Sequence, residues 1–111
     1  MDNLIENIEF SKVLNLKDLI SYQRGQIIIK TIVQTAATNI TIFALDKGEG
    51  MTTNVTSGHA IVQILDGTAE VMIGSDVFTI KEGETIVLPY DKPHGLEAIE
   101  RFKMLLTVIK H

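Results

Sequence analysis

Three histidines, His59, His94 and His111, are the side chains best suited to chemistry in this chain of 111 residues. The sequence has no cysteine, so thiolate metal sites, cysteine nucleophiles and disulfides are excluded. A divalent metal would have to be held by imidazole and carboxylate. His111 is the last residue of the sequence, where chain ends fray. His59 follows Gly58 in a turn-like stretch, where a solvent-facing imidazole is the simplest expectation. His94 follows Pro93 at the end of a segment bounded by Pro89 and Pro93, and can point into a cavity. An imidazole titrates near neutrality and can serve as a general base. Glu97, Glu100 and Asp91 are near His94 in sequence, but no spacing pairs any of them with it. No nucleophile–base pair is recognisable.

The elements that position these residues are strands. Ile (16), Val (8) and Thr (11) make up nearly a third of the residues. Their branched Cβ atoms lose rotamer freedom in helices and pack well on pleated surfaces. Strands are expected at 26–33, 38–45, 51–56, 60–65, 68–73, 77–80, 84–88 and 103–109, with tight turns at Asp66-Gly67, Gly74-Ser75 and Glu82-Gly83. The first ten residues show no period and read as a loose arm or an extra strand. One helix is predicted, from residue 15 to about 23. Asn15 supplies the cap, Asp18 the first-turn carboxylate, Leu14 and Leu19 the staple, and Gly25 the stop. Eight or nine short strands separated by glycine turns indicate a sandwich or barrel in a single domain, with residues 1–25 as arm and helix and 26–111 as the barrel.

Ile27-Ile28-Ile29, Ile86-Val87-Leu88 and Met104-Leu105-Leu106 are apolar on both strand faces. One face lines the barrel and the other must be covered. A second copy of the chain in a symmetric homodimer is the expected cover, and the N-terminal arm folding over is the alternative. The net charge of −4, with no cluster of cations, excludes a phosphate-backbone binder. No stretch is apolar enough for a membrane span and no secretory signal is recognisable, so a cytoplasmic protein is expected.

From Gly48 to Ile109 the chain resembles a small single-domain cupin. Gly83, Pro89 and His94 fit the second cupin motif at its spacing, with Asp91 in place of the middle glycine. Gly67 fits the closing glycine of the first motif. Counting back puts Ala60 at its glutamate and Asn54 and Thr56 at its two histidines. The resemblance implies an all-β, jelly-roll-like double-stranded β-barrel with a short N-terminal helix. It also implies where a metal would be bound, by His, His, Glu and His. Here those positions hold Asn54, Thr56, Ala60 and His94, so no cofactor and no tightly held metal are expected. If a metal binds at all, His94 with Asn54 or His59 would hold it. Strand parity turns His59 outward when Ala60 points inward. The expected site is a pocket of Asn54, Thr56, Ala60, Val62 and His94 that binds a small molecule without metal. An enzyme of isomerase, lyase or dioxygenase type, weakly metallated or dependent on His94, is the alternative, and a vestigial pocket with a role for the dimer surface is another.

Overall fold

The computed structural model describes residues 4–53 and 58–110. Eight strands dominate: β1 (Ile27–Gln34), β2 (Thr38–Leu45), β3 (Gly50–Thr53), β4 (Gly58–Ile73), β5 (Asp76–Lys81), β6 (Thr85–Leu88), β7 (His94–Glu97) and β8 (Phe102–Lys110). All pairings are antiparallel. No helix among the described residues is long and apolar enough to cross a membrane.

One strand belongs to both halves of the structure. The first part of β4, up to Gly67, pairs with β8 on one edge and with β6 on the other. Its second part, from Thr68, pairs with β7 on the edge that faced β8 and with β5 on the edge that faced β6. The first sheet runs β1-β2-β8-β4-β6 and the second runs β3-β7-β4-β5. The hairpin expected at Asp66-Gly67 is therefore not there, and the two strands expected at 60–65 and 68–73 are one. Gly67 does take a positive φ (+76°), but it spends that freedom on a bend. The β4–β8 register slips between Ile64 and Asp66, as at a β-bulge, which bends a strand and raises its twist. A Cβ on Gly67 would collide with the Arg101 carbonyl oxygen. The turn between β5 and β6 fastens the corner: Glu82 N–H donates to Gly67 O (3.2 Å) and Gly83 N–H to Ile64 O (2.9 Å).

The main core lies between the sheets, around Phe102, Met104, Leu45, Ile64, Val62 and Val71. A second core lies on the outer face of the first sheet. There Ile42, Ala44 and Ile32 receive Ile20 of the arm, with Leu16, Leu19 and Tyr22 around it. The arm covers this part of the outer face. The expected helix is only a 3-10 turn, Leu16–Leu19. Asn15 makes no side-chain cap; its carbonyl accepts from Asp18 N–H at 3.0 Å. The turn does not propagate because its carbonyls are taken by lysines of the sheet: Lys103 Nζ donates to Lys17 O and Lys30 Nζ to Leu19 O, both at 2.6 Å. Ile20 is then drawn extended into the core, 5% exposed. Tyr22 closes the contact, its hydroxyl donating to Asp66 at 2.6 Å and its ring lying 4.5 Å under the Arg101 guanidinium. Burial and the Asp66 carboxylate hold that phenol protonated well above its usual range. Gly25 (φ +70°) does not end the helix; it forms a separate turn whose N–H donates to the Asp46 carboxylate at 2.7 Å. Residues 4–10 form no strand, but Glu6 N–H reaches Ile32 O at 2.7 Å.

Replacing Gly67 with alanine puts a side chain where both the dihedral and the Arg101 carbonyl oppose it. Gly67→Ala is expected to lower stability by about 3 kcal/mol, read as a shift of the urea midpoint. Gly83→Ala, also at positive φ but with open space around it, is expected to cost clearly less.

Candidate functional site in the cleft between the sheets

The inward face of β4 follows period-two alternation. Gly58, Ala60, Val62 and Ile64 are buried, whereas His59 and Gln63 are exposed. Ala60 stands in a row across the first sheet, with Leu88 on one side and Val108 then Asn39 on the other. The next row toward the bend reads Ile86, Val62, Leu106, Thr41 and Thr31.

His94 is the first residue of β7, which the sequence reading leaves as loop after Pro93. It pairs with Ile73 of β4 and Thr53 of β3. Its side chain is 8% exposed, on the same strand face as the buried Leu96. The loop 89–93 joins Leu88, beside Ala60, to His94, and the Pro93 carbonyl accepts from Gly74 N–H at 2.9 Å. His94 thus faces the cleft from one sheet while Ala60 faces it from the other. Burial holds the His94 pKa below the ordinary imidazole value, because a desolvated ring disfavours its charged form. The neutral ring offers one donor and one acceptor.

The other sequence candidates divide. Ala60 and Val62 line the inward face as expected. His59 is exposed on the opposite face, packed edge-on against Tyr90 with ring centroids 5.2 Å apart. Asn54, Thr56 and His111 lie outside the described residues. Of the nearby carboxylates, Glu97 is exposed on the face of β7 opposite His94, Glu100 stands 3.9 Å from Lys47, and Asp91 is exposed. Two surface concavities lie outside the cleft. One of about 430 Å³ is bounded by the arm and Ile32, and one of about 190 Å³ by Thr68, Glu70, Thr79 and the 99–100 turn. Neither is lined by His94.

The donor set does not fit a tightly held transition metal. Of the four motif positions, only His94 is an ordinary ligand for such an ion, and Ala60 carries no donor atom. His59 cannot replace the missing carboxylate from the outer face of its strand.

A bent β4 shared by two antiparallel sheets, with an inward histidine after a Pro-bounded loop, defines a cupin-type barrel. The cupin domain family matches residues 41–109, and the chain belongs to that family. It is similar to a conserved protein of unknown function from Streptococcus pyogenes, with 40% identity over 99% of this chain and 96% of that one and a TM-score of 0.94. A cupin superfamily protein from Desulfitobacterium hafniense shares the fold at 22% identity, with 96% and 98% of the two chains covered and a TM-score of 0.91. A Cupin 2 conserved barrel domain protein from Leptotrichia buccalis is 37% identical over 87% of this chain and 47% of that longer one, with a TM-score of 0.83. Curated proteins offer no match to the chain.

The His94 shift has a sign that can be measured. Its folded-state pKa lies below the unfolded value of about 6.5, so the unfolded chain binds the proton first. Stability from this group is whole above about pH 6.5 and is lost as the pH falls from that value through the lower folded-state pKa. The urea midpoint is expected to drop between pH 7.5 and 5.5, and His94→Gln is expected to flatten that drop.

Proposed function

We propose that the cleft between the sheets binds a small molecule without a bound metal. The observation that carries this reading is the burial of a neutral-favouring His94 opposite Ala60, where the family motif would place a charged glutamate. An apolar cleft with a few convergent polar groups is the usual form of a small-ligand site. Here Ala60, Val62, Leu96 and Ile73 supply apolar surface and His94 a directional hydrogen-bonding group. The motif frame adds Asn54 and Thr56 as further polar groups. Loss of the carboxylate frees volume at Ala60 and removes a charge that would have demanded a cation.

A fragment library screened by thermal shift is expected to yield compounds that raise the melting temperature. At about 100 times its dissociation constant a ligand stabilises by roughly 2.7 kcal/mol. His94→Leu is expected to remove the shift while leaving the fold intact by circular dichroism. A shift that survives in His94→Leu, or that needs added divalent metal, counts against the reading.

We also propose that the working form is a homodimer paired along β1. Gln26 O accepts from Asp46 N–H, so by antiparallel alternation Ile27, Ile29 and Thr31 turn their main-chain groups away from β2. Among the described residues, the arm takes up the far end of this edge, through the Thr31 and Ile32 carbonyls. An open edge beside Ile29, itself 59% exposed, is a template for strand pairing, and two antiparallel copies of β1 are self-complementary about a two-fold axis. Light scattering is expected to give twice the chain mass of 12.3 kDa, and Ile29→Lys to halve it.

A further inference from the structure

The inward face of the first sheet carries polar groups that the family motif does not mark. Asn39 stands in the row that contains Ala60 and Val108, with Gln34 of β1 beyond it. Lys110 is two residues beyond Val108 on β8, beside Gly58, and therefore on the same face. The Asn39 amide is satisfied at both ends when its oxygen accepts from Lys110 Nζ (3.3 Å) and its nitrogen donates to Thr38 O (3.1 Å). That contact holds the ammonium over the inward side of the sheet, where Asn39 and Lys110 are both half-buried. Lys110 takes part in neither of the ion pairs found among the described residues. Among the described residues, the side-chain group set against its ammonium is the Asn39 amide.

The charge on the opposite wall does not neutralise it. β8 and β7 flank the same edge of β4, so the fold at Gly67 brings β7, with His94, to the side of the cleft bounded by β8 and β2. Asp76, the charged residue of the His94–Ile73 row, is on β5 along the other edge of β4 and is exposed. Among the described residues, the inward surface near Lys110 also carries Val108, Leu106, Ala60 and Thr41, with the exposed Gln34 at the sheet edge beyond Asn39. One cation at the rim of an apolar wall matches one negative charge on an apolar body.

From this placement we infer that the ligand is a small monocarboxylate with an apolar body. Its carboxylate is received by Lys110, which Asn39 holds in place, and its body lies on Val108, Leu106 and Ala60 with His94 across the cleft. A charge-assisted hydrogen bond is roughly twice as strong as a neutral one. A phosphate monoester, at about −1.5 to −2, exceeds what one ammonium balances. This assignment rests on the small-molecule reading above.

The test compares benzoate with benzamide and phenyl phosphate, titrated into the full chain at constant ionic strength and followed by ¹H–¹⁵N chemical shifts. Benzoate is expected to move the Ala60, Val108 and His94 amides and to bind about tenfold more tightly than benzamide, a ratio equivalent to about 1.4 kcal/mol. Phenyl phosphate is expected to bind more weakly than benzoate. Lys110→Met is expected to bring the benzoate-to-benzamide ratio near one without weakening benzamide, Lys110→Arg to retain the preference, and Lys47→Met, a surface cation elsewhere, to change nothing. Equal binding of benzoate and benzamide to the wild-type chain at these amides would overturn the carboxylate assignment and leave the small-molecule site standing. Tighter binding of phenyl phosphate, or a preference that survives in Lys110→Met, would do the same. Binding of none of the three would overturn both.

Discussion

The bend at Gly67 is the constraint on which the molecule depends. Because this residue alone in β4 takes a positive φ, one strand can leave the first sheet and enter the second while remaining a single strand. The collision awaiting any Cβ at the Arg101 carbonyl shows how closely β8 passes the corner. Three things follow from that one dihedral. The inward rows of the two sheets face each other and build the main core. Ala60 and His94, far apart in sequence, look into one cleft. The Tyr22–Asp66 hydrogen bond ties the arm to the residue next to the bend, so the outer core is anchored at the same place as the inner one.

The interior that results is poor in charge. A cupin with its four ligands keeps a cation at this place, and the cation balances the buried carboxylate. Here alanine stands at the glutamate position, and burial depresses the histidine pKa instead of a carboxylate raising it. A buried imidazole that stays neutral costs little desolvation, whereas a buried unpaired charge costs several kcal/mol. Loss of the glutamate and retention of a neutral histidine are physically consistent with each other. The remaining cation, Lys110, stays half-buried at the rim, where water can still reach it.

Much of this was legible in the sequence, and the failures share a cause. Parity along 58–64 was readable because strand side chains alternate strictly, and it placed His59 outside and Ala60 and Val62 inside. The spacing Gly83–Pro89–His94 located the buried histidine. The Asp66-Gly67 pair was read as a hairpin because local chemistry specifies a positive φ but not its use. Whether that angle reverses a chain or bends it depends on β8, some 35 residues later, passing alongside. The helix at 15–23 shortened to one turn for a similar reason, since Lys30 and Lys103 claim its carbonyls from distant strands. β7 was hidden behind Pro93, and four residues of mixed polarity carry no period. Neither Asn39 nor Lys110 belongs to a motif; only the strand register places them near Ala60.

The position of β8 bears on how the chain is made. It is inserted between β2 and the first half of β4, so neither strand has that neighbour until residues 102–110 have emerged from the ribosome. Until then, β2 and β4 present open edges that carry several isoleucines, the kind of surface that nascent chains join to one another. Such non-local pairing is intrinsically slow to form. For this barrel the exposed period falls before β8 arrives, and the window in which a chaperone would matter closes when β8 slots into the gap.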